Sequence, residues 1–239
     1  MSDLNENYSI VDAYRNISSH YKALKKKPWR DFVKFLNYLE NHYALPKQGI
    51  VADFGTGNGR NLLVFTSPNW EKIALDISFE LISAIEKSTV YPINSDVKSL
   101  PFVKKDVDLA LCIATLHHLA SEEDVLKALR EINAVLKPNS YLILSVWRRW
   151  KRSTFFPMLL DLMLFPLKKF KSKKWRHGDI WIPWKNEKKE VITKRYYHLF
   201  TKRELIRVTK ANNFTLIDLQ TSGGKNNKDN YFVLLKKYE

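Results

Sequence analysis

Cysteine is almost absent from this chain of 239 residues: Cys112 stands alone. That excludes an internal disulfide and a cysteine-rich zinc site. The first residues, MSDLNENYSI, lack the basic-then-apolar pattern of a secretion signal. The longest apolar run, 155-FFPMLLDLMLFPL-167, holds an aspartate and is too short to span a bilayer. A cytoplasmic location is therefore expected. No internal repeat or low-complexity block interrupts the chain. Acidic residues are also in deficit, 25 Asp+Glu against 40 Lys+Arg, for a net charge of +15. That imbalance favours a polyanionic partner. It is concentrated: residues 148–195 hold 15 Lys/Arg and four acids, a net of +11.

What is present alternates between short apolar runs and amphipathic stretches. Pro28 opens a helix to about Ala44, with Phe32, Phe35, Leu36 and Leu39 at helical spacing. IVADF (50–54) reads as a buried strand, followed by a glycine turn and a helix. KIALD (72–76) is a second strand and Ser78 to Lys87 a helix. VYPINSD (90–96) is a third strand and VDLALCIA (107–114) a fourth. Ser121 caps a helix with Val125, Leu129, Ile132 and Leu136 on one face. YLILSVW (141–147) is a fifth strand. Thr201 and Glu204 form a capping box for a later helix. FTLIDLQT (214–221) and YFVLLKK (231–237) read as an antiparallel finishing pair.

Such alternation means a parallel, doubly wound sheet. With the finishing pair it resembles the class I methyltransferase (Rossmann-like) layout: a mostly parallel seven-stranded sheet, an antiparallel C-terminal pair and a basic insertion after strand five. One domain over 1–239 is expected, with an N-terminal helical segment (1–45) and a substrate-binding insertion (148–198).

The strongest motif is 51-VADFGTGNGR-60. Glycines after a strand let backbone N–H groups approach a ligand. A dinucleotide site would place glycine where Arg60 stands. The D-x-G-x-G-x-G pattern instead resembles motif I of enzymes using S-adenosylmethionine. That likeness implies a cofactor site of Asp53, Gly55, Gly57 and Gly59, with Asp53 near the cofactor ammonium. Asp76 and Asp96 end the second and third strands, where carboxylates can accept from ribose hydroxyls and the adenine amino group. The backbone near Ile113 and Ala114 would line the methionine. All four places are strand C-termini, where open α/β sheets bind ligands.

Four further stretches resemble the tRNA wobble-uridine carboxymethyl methyltransferases: KKKPW (25–29) after an N-terminal tyrosine region, IATLHHL (113–119), DIWIPWK (179–185) and RYYHLFTKREL (195–205). The resemblance implies methyl transfer from S-adenosylmethionine to the carboxylate of 5-carboxymethyluridine in the tRNA anticodon. On that reading Arg195 grips the carboxylate or an adjacent phosphate, Tyr196 or Tyr197 stacks on the base, and His198 orients the uracil edge or ribose. His117 and His118 follow the fourth strand, and one is expected to touch the acceptor. Lys27 and Trp29 are expected to border the site. In an extended RYYH segment, Arg195 and Tyr197 share one face, Tyr196 and His198 the other. The chemistry of Asp179 and Trp184 is left open beyond holding the insertion together. The basic runs RRWKR (148–152), KKFKSKKWR (168–176) and KNEKK (185–189) interleave charge with rings, as single-stranded RNA binders do.

The family also implies a small zinc-binding activator subunit covering the third-strand edge near Val90, Tyr91 and Ile93. No metal site is expected in this chain. The competing reading is a peripheral-membrane methyltransferase acting on a lipid-like molecule such as a quinone precursor, with residues 155–167 in the bilayer interface. LKPNS (136–140) departs from the usual LKPGG, and asparagine tolerates the left-handed turn needed there.

Overall fold

The structure is a computed structural model, and it describes residues 9–102, 105–150, 156, 158–164 and 176–238. Most of KKFKSKKWR and part of RRWKR lie outside the described residues.

The strands are β1 (Gly49–Phe54), β2 (Trp70–Asp76), β3 (Tyr91–Asn94), β4 (Val107–Ile113), β5 (Leu136–Trp147), β6 (Asp179–Lys185), β7 (Val191–His198), β8 (Phe214–Ser222) and β9 (Asn230–Lys237). The helices are α1 (Ile10–Leu24), α2 (Arg30–His42), α3 (Phe79–Ile82), α4 (Glu122–Val135), α5 (helical residues 158–164) and α6 (Lys202–Lys210). Seven strands make one sheet in the order β3-β2-β1-β4-β5-β9-β8, and β6 and β7 form a separate hairpin. The pairs from β3 to β5 are parallel, and β9 runs antiparallel to both β5 and β8. This is the class I methyltransferase fold.

Both faces of the sheet are buried, so its central strands are continuously apolar rather than alternating. On one face Ala52, Phe54, Ala110 and Cys112 pack under α4 and α6 through Val125, Leu129, Ile132, Leu205 and Val208. On the other, Val51, Ala74, Leu109 and Leu111 meet Phe32, Phe35, Leu36 and Leu39 of α2. Losing the Phe32 ring, fully buried there, would cost about 3–5 kcal/mol.

Three elements differ from the sequence reading. After the glycine turn the chain makes only a 3-10 turn, Arg60–Val64, not a full helix. The helix expected over Ser78 to Lys87 is the single turn α3. Serine and threonine, which compete for backbone bonds, crowd its far end, and Ile85 closes against the glycine turn instead. Strand β5 starts earlier than expected and takes in LKPNS, where Asn139 has φ +62°. The capping box is present: Glu204 N–H donates to the Thr201 hydroxyl, and the Glu204 carboxylate accepts from the Thr201 N–H.

Chain order runs outward from β1 to β3 and then returns to β4 beside β1. The crevice at the ends of β1 and β4 is therefore the switch point where such sheets take ligands.

Candidate active site

The glycine bend lies at that switch point. Gly55 has φ +79°, and a Cβ there would fall 2.3 Å from the Thr115 side chain arriving from β4. Only glycine lets the two loops close this tightly. Thr115 Oγ1 donates to the Phe54 carbonyl at 3.1 Å. Ala114 turns the β4 loop with φ +59°, a left-handed conformation costly for an L-residue. The Ser145 carbonyl and hydroxyl hold its N–H at 3.1 and 3.0 Å.

Asp53 is fully buried beneath the bend. The Thr56 hydroxyl donates to one carboxylate oxygen at 2.8 Å, while the other oxygen has no partner among the described residues. Burial pushes this carboxyl up to about 7, against the pull of Thr56. An orphaned buried carboxylate oxygen calls for a donor. Asp76, ending β2, accepts from Gly57 N–H at 2.7 Å and Ser78 N–H at 2.9 Å. Burial raises its carboxyl and those backbone donors oppose the rise. Asp96 caps the next turn through Lys98 N–H at 2.9 Å and is one-third exposed. Ile113 is buried at the end of β4. Together these residues fit S-adenosylmethionine: a carboxylate for the ammonium, open glycine backbone for the methionine end, and acids at successive strand ends for the nucleoside.

A second cluster faces the bend from the hairpin. The register pairs Ile180 with Tyr197, Ile182 with Arg195 and Trp184 with Thr193, so these six share one face. Arg195 is 8% exposed and makes no ion pair with any described carboxylate. Its Nε is buried without a hydrogen-bond partner. Three rings surround the guanidinium: Trp184 at 4.5 Å, Tyr197 at 5.2 Å and Tyr14 at 5.9 Å from Cζ. Lys25 is nearby, its ammonium pushed down by burial and by the charges of Arg60 and Arg195.

His118 borders the same cage. Its Nδ1 lies 3.1 Å from the Tyr196 carbonyl, which can only accept, so Nδ1 carries the proton. Nε2 therefore accepts from the Tyr14 hydroxyl at 3.0 Å. Burial, with Arg195 adding to it, drives the imidazole down to about 3. His118 is neutral and is no proton acceptor at neutral pH.

Several expected substrate contacts go elsewhere. Tyr196 and His198 occupy the opposite face of β7, where Asp179 takes the Tyr196 hydroxyl and His198 Nδ1, each at 2.6 Å. His198 Nε2 meets Glu204 at 2.7 Å. Both residues brace the hairpin, so the roles in base stacking and uracil orientation do not fit them. Tyr197 is 2% exposed and already stacks on Trp147 at 4.4 Å, which leaves it a wall of the cage rather than a base platform. His117 is buried behind that wall, 5.2 Å from the Tyr197 ring, and accepts the Trp147 N–H. Trp29 is half-buried, packing on Phe232 at 5.2 Å while its backbone N–H donates to Asn61, just after the glycine bend, at 3.1 Å, and Lys27 is exposed.

The sequence reading missed Tyr14 and Tyr21 of α1 as individual residues. They stand seven apart, two turns along one helix face, which is the signal that marks them. Tyr21 lies over the bend: a Cβ on Gly57 would sit 3.5 Å from its hydroxyl. Trp184 was read only as part of a motif; its cage role follows from the hairpin register.

The fold and the glycine bend are those of class I methyltransferases, and residues 52–144 match the methyltransferase domain family. Among named relatives, the chain is 30% identical over 142 residues to a mouse tRNA (carboxymethyluridine(34)-5-O)-methyltransferase, covering 59% of this chain and 20% of that protein. It thus spans a fifth of that relative's length. A Schizosaccharomyces pombe protein of the same name is 26% identical over 97% of both chains. A Haloferax volcanii chain, solved in a complex between the Trm112 methyltransferase activator and a methyltransferase, superposes with TM-score 0.65 at 12% identity, covering 97% of this chain and 98% of that one. At that identity the likeness is one of fold.

Proposed function

We propose that this protein methylates the carboxylate of 5-carboxymethyluridine at the wobble position of tRNA, giving the methyl ester. The observation that carries the reading is Arg195, a buried guanidinium in a cage of rings with no carboxylate of its own among the described residues. Such a group is stabilised by an incoming anion, and its planar fork matches a carboxylate. The names of the relatives supply the nucleoside.

When bound, S-adenosylmethionine supplies an electrophilic methyl on a cationic sulfur. Asp53 and the glycine backbone would hold the donor's methionine end, and Asp76 and Asp96 its nucleoside. Arg195 turns one acceptor oxygen toward the methyl, so that proximity and alignment lower the barrier. The new O–CH3 bond uses an oxygen lone pair, and the broken S–CH3 pair stays on sulfur. No proton moves, and neutral His118 suits that chemistry. The product ester has lost the charge that paired with Arg195, which favours release.

The basic stretch 148–195 fits an anticodon loop as partner. At the other end of the sheet, β3 is an edge strand with Tyr91 62% exposed and Pro92 within it. We place a small activator subunit on that edge, as an added strand against Tyr91 and Ile93.

Purified protein, co-expressed with a candidate activator, is incubated with tRNA and methyl-labelled S-adenosylmethionine, and digested nucleosides are read by mass spectrometry. Label in the wobble uridine as a methyl ester is expected; unlabelled wobble nucleosides would refute the reading. A second reading, methylation of a lipid-like molecule at a membrane surface, is favoured by α5, where Leu159, Leu160, Leu162 and Met163 are exposed. Among the described residues no helix is long and apolar enough to cross a membrane. Vesicle flotation against a tRNA gel shift separates the two.

A further inference from the structure

Helix α1 touches both halves of the site. Its Tyr21 covers the glycine bend beside Gly57. Its Tyr14 donates to His118 Nε2 and stands 5.9 Å from the Arg195 guanidinium. Between them His20 accepts the Trp184 indole N–H at 3.0 Å, tying the helix to β6. On its other side Arg15 reaches Glu80 at 2.9 Å, and Lys22 Nζ donates to the Glu80 carbonyl at 3.4 Å. Glu80 belongs to α3, which begins three residues after Asp76. One helix is thus fastened to the donor side by two polar contacts and to the acceptor cage by two more. Only Ala13, Ile17 and Ser18 of its fifteen residues are buried. A helix held by so little apolar area opens at low cost.

We propose that α1 is a shared wall which couples the two sites: Tyr21 roofs the donor, Tyr14 positions His118 and the Arg195 cage, and seating of the donor thereby orders the hairpin that receives the acceptor. This rests on the proposed reading for the acceptor's identity but not for the coupling itself. With Tyr21 resting on the bend, a donor entering there must displace or engage it. The shift passes through a rigid helix to His20 and Tyr14, which contact Trp184 and His118 directly. A ligand that fixes α1 spares the second ligand part of the ordering entropy, which is positive cooperativity. The coupling is reciprocal, so the acceptor tightens the donor by the same factor.

Hydrogen–deuterium exchange on the full chain, with and without S-adenosylhomocysteine, tests this with no acceptor present. Exchange should slow by at least about fivefold in α1 and also across residues 179–198 of the hairpin. In Trp184→Phe, which keeps a ring but loses the indole donor, the slowing should persist in α1 and weaken at least about twofold across residues 179–185, while the second route through Tyr14 and His118 stays intact. If that variant does not fold, His20→Ala removes the same bond from the other side. Protection confined to residues 53–60 and 76–78 in the wild type would overturn the proposal, as would failure of S-adenosylhomocysteine to bind. If hairpin protection appears yet wobble nucleosides stay unmethylated, the assignment of substrate falls and the coupling stands. Tyr14→Phe adds a second readout: donor affinity without acceptor should hold, while the tightening of the donor by the acceptor should shrink at least about threefold, a split that a purely structural role would not give.

Discussion

Replacing Arg195 by methionine separates binding from stability in a way few active-site changes do. Methionine keeps most of the volume, so no large cavity confounds the result. In the free protein the change removes a buried Nε that has no hydrogen-bond partner, which relieves about 1–3 kcal/mol. It also removes the attraction of the rings of Trp184, Tyr197 and Tyr14, worth about 0.5–2 kcal/mol. The sum lies between a loss of about 1 and a gain of about 2.5 kcal/mol. At roughly 2–4 °C per kcal/mol for a chain of this size, calorimetry should find Tm between about 4 °C below and about 10 °C above the wild type. The acceptor loses a desolvated charge contact worth about 2–5 kcal/mol, so kcat/KM for tRNA falls by about 30-fold to several thousandfold. Affinity for S-adenosylhomocysteine, by titration calorimetry, should hardly move. A fall in Tm beyond about 5 °C would mean that Arg195 has a structural role, and the argument from an unpartnered cation would fail.

Three other outcomes follow from the same geometry. Asp53 titrates at about 7 instead of its ordinary 3.8, so the unliganded fold holds an extra proton between those values and its stability falls as pH rises through that window. A cationic donor should therefore expel a proton near pH 6, seen by calorimetry in buffers of different ionisation enthalpy, and Asp53→Asn should abolish the release; no release in the wild type would refute the assignment. Glu204 is pushed up by burial, but the His198 contact and Arg149 more than offset this and hold it below the usual carboxylate range. Its contribution is therefore present at neutral pH and lost as pH falls through its folded value. Glu204→Gln should cost about 3 kcal/mol, roughly 6–12 °C in Tm, whereas a change under about 2 °C would count the network as idle. Finally, if about four phosphates are neutralised, log Kd for tRNA against log salt should show a slope of magnitude near 3, and a magnitude below about 1 would remove nucleic acid as the partner.

The sheet was legible because parallel strands buried on both faces write themselves as near-continuous apolar runs, as in LALCI. The donor side was legible for a related reason. A glycine bend and acids at strand ends are local requirements, met by residues next to the strands that place them. The acceptor side was harder, because its members come from four distant segments. Alternation along RYYH divided Arg195 and Tyr197 from Tyr196 and His198, but which pair faced the site depended on Asp179, opposite His198 in the hairpin register. Asp179 accepts from both Tyr196 and His198 and so pins that face to the α6 capping box through Glu204. Tyr14 and Tyr21 announce a helix face by their spacing alone. That the face meets Arg195 and Gly57 is a tertiary fact no local pattern carries. Trp29 is divided: its ring packs on Phe232 while its backbone N–H reaches Asn61 beside the glycine bend, a placement its motif likeness alone does not give.

The cage also constrains the kind of acceptor it serves. Among the described residues, neither His118 nor Tyr14, which border the guanidinium, is in a state to take a proton at neutral pH. His118 is held near 3 with its Nε2 already occupied. The Tyr14 phenol is raised well above its usual value by burial, with Tyr197 and Tyr21 adding to the rise. The Arg195 guanidinium offers only hydrogen-bond donors. A hydroxyl or carbon acid would have to surrender a proton to one of these groups before or during attack, and none accepts it. A carboxylate enters already ionised. On the proposed reading its charge supplies what Arg195 Nε lacks among the described residues, and losing that charge on methylation would remove the main reason for the product to stay.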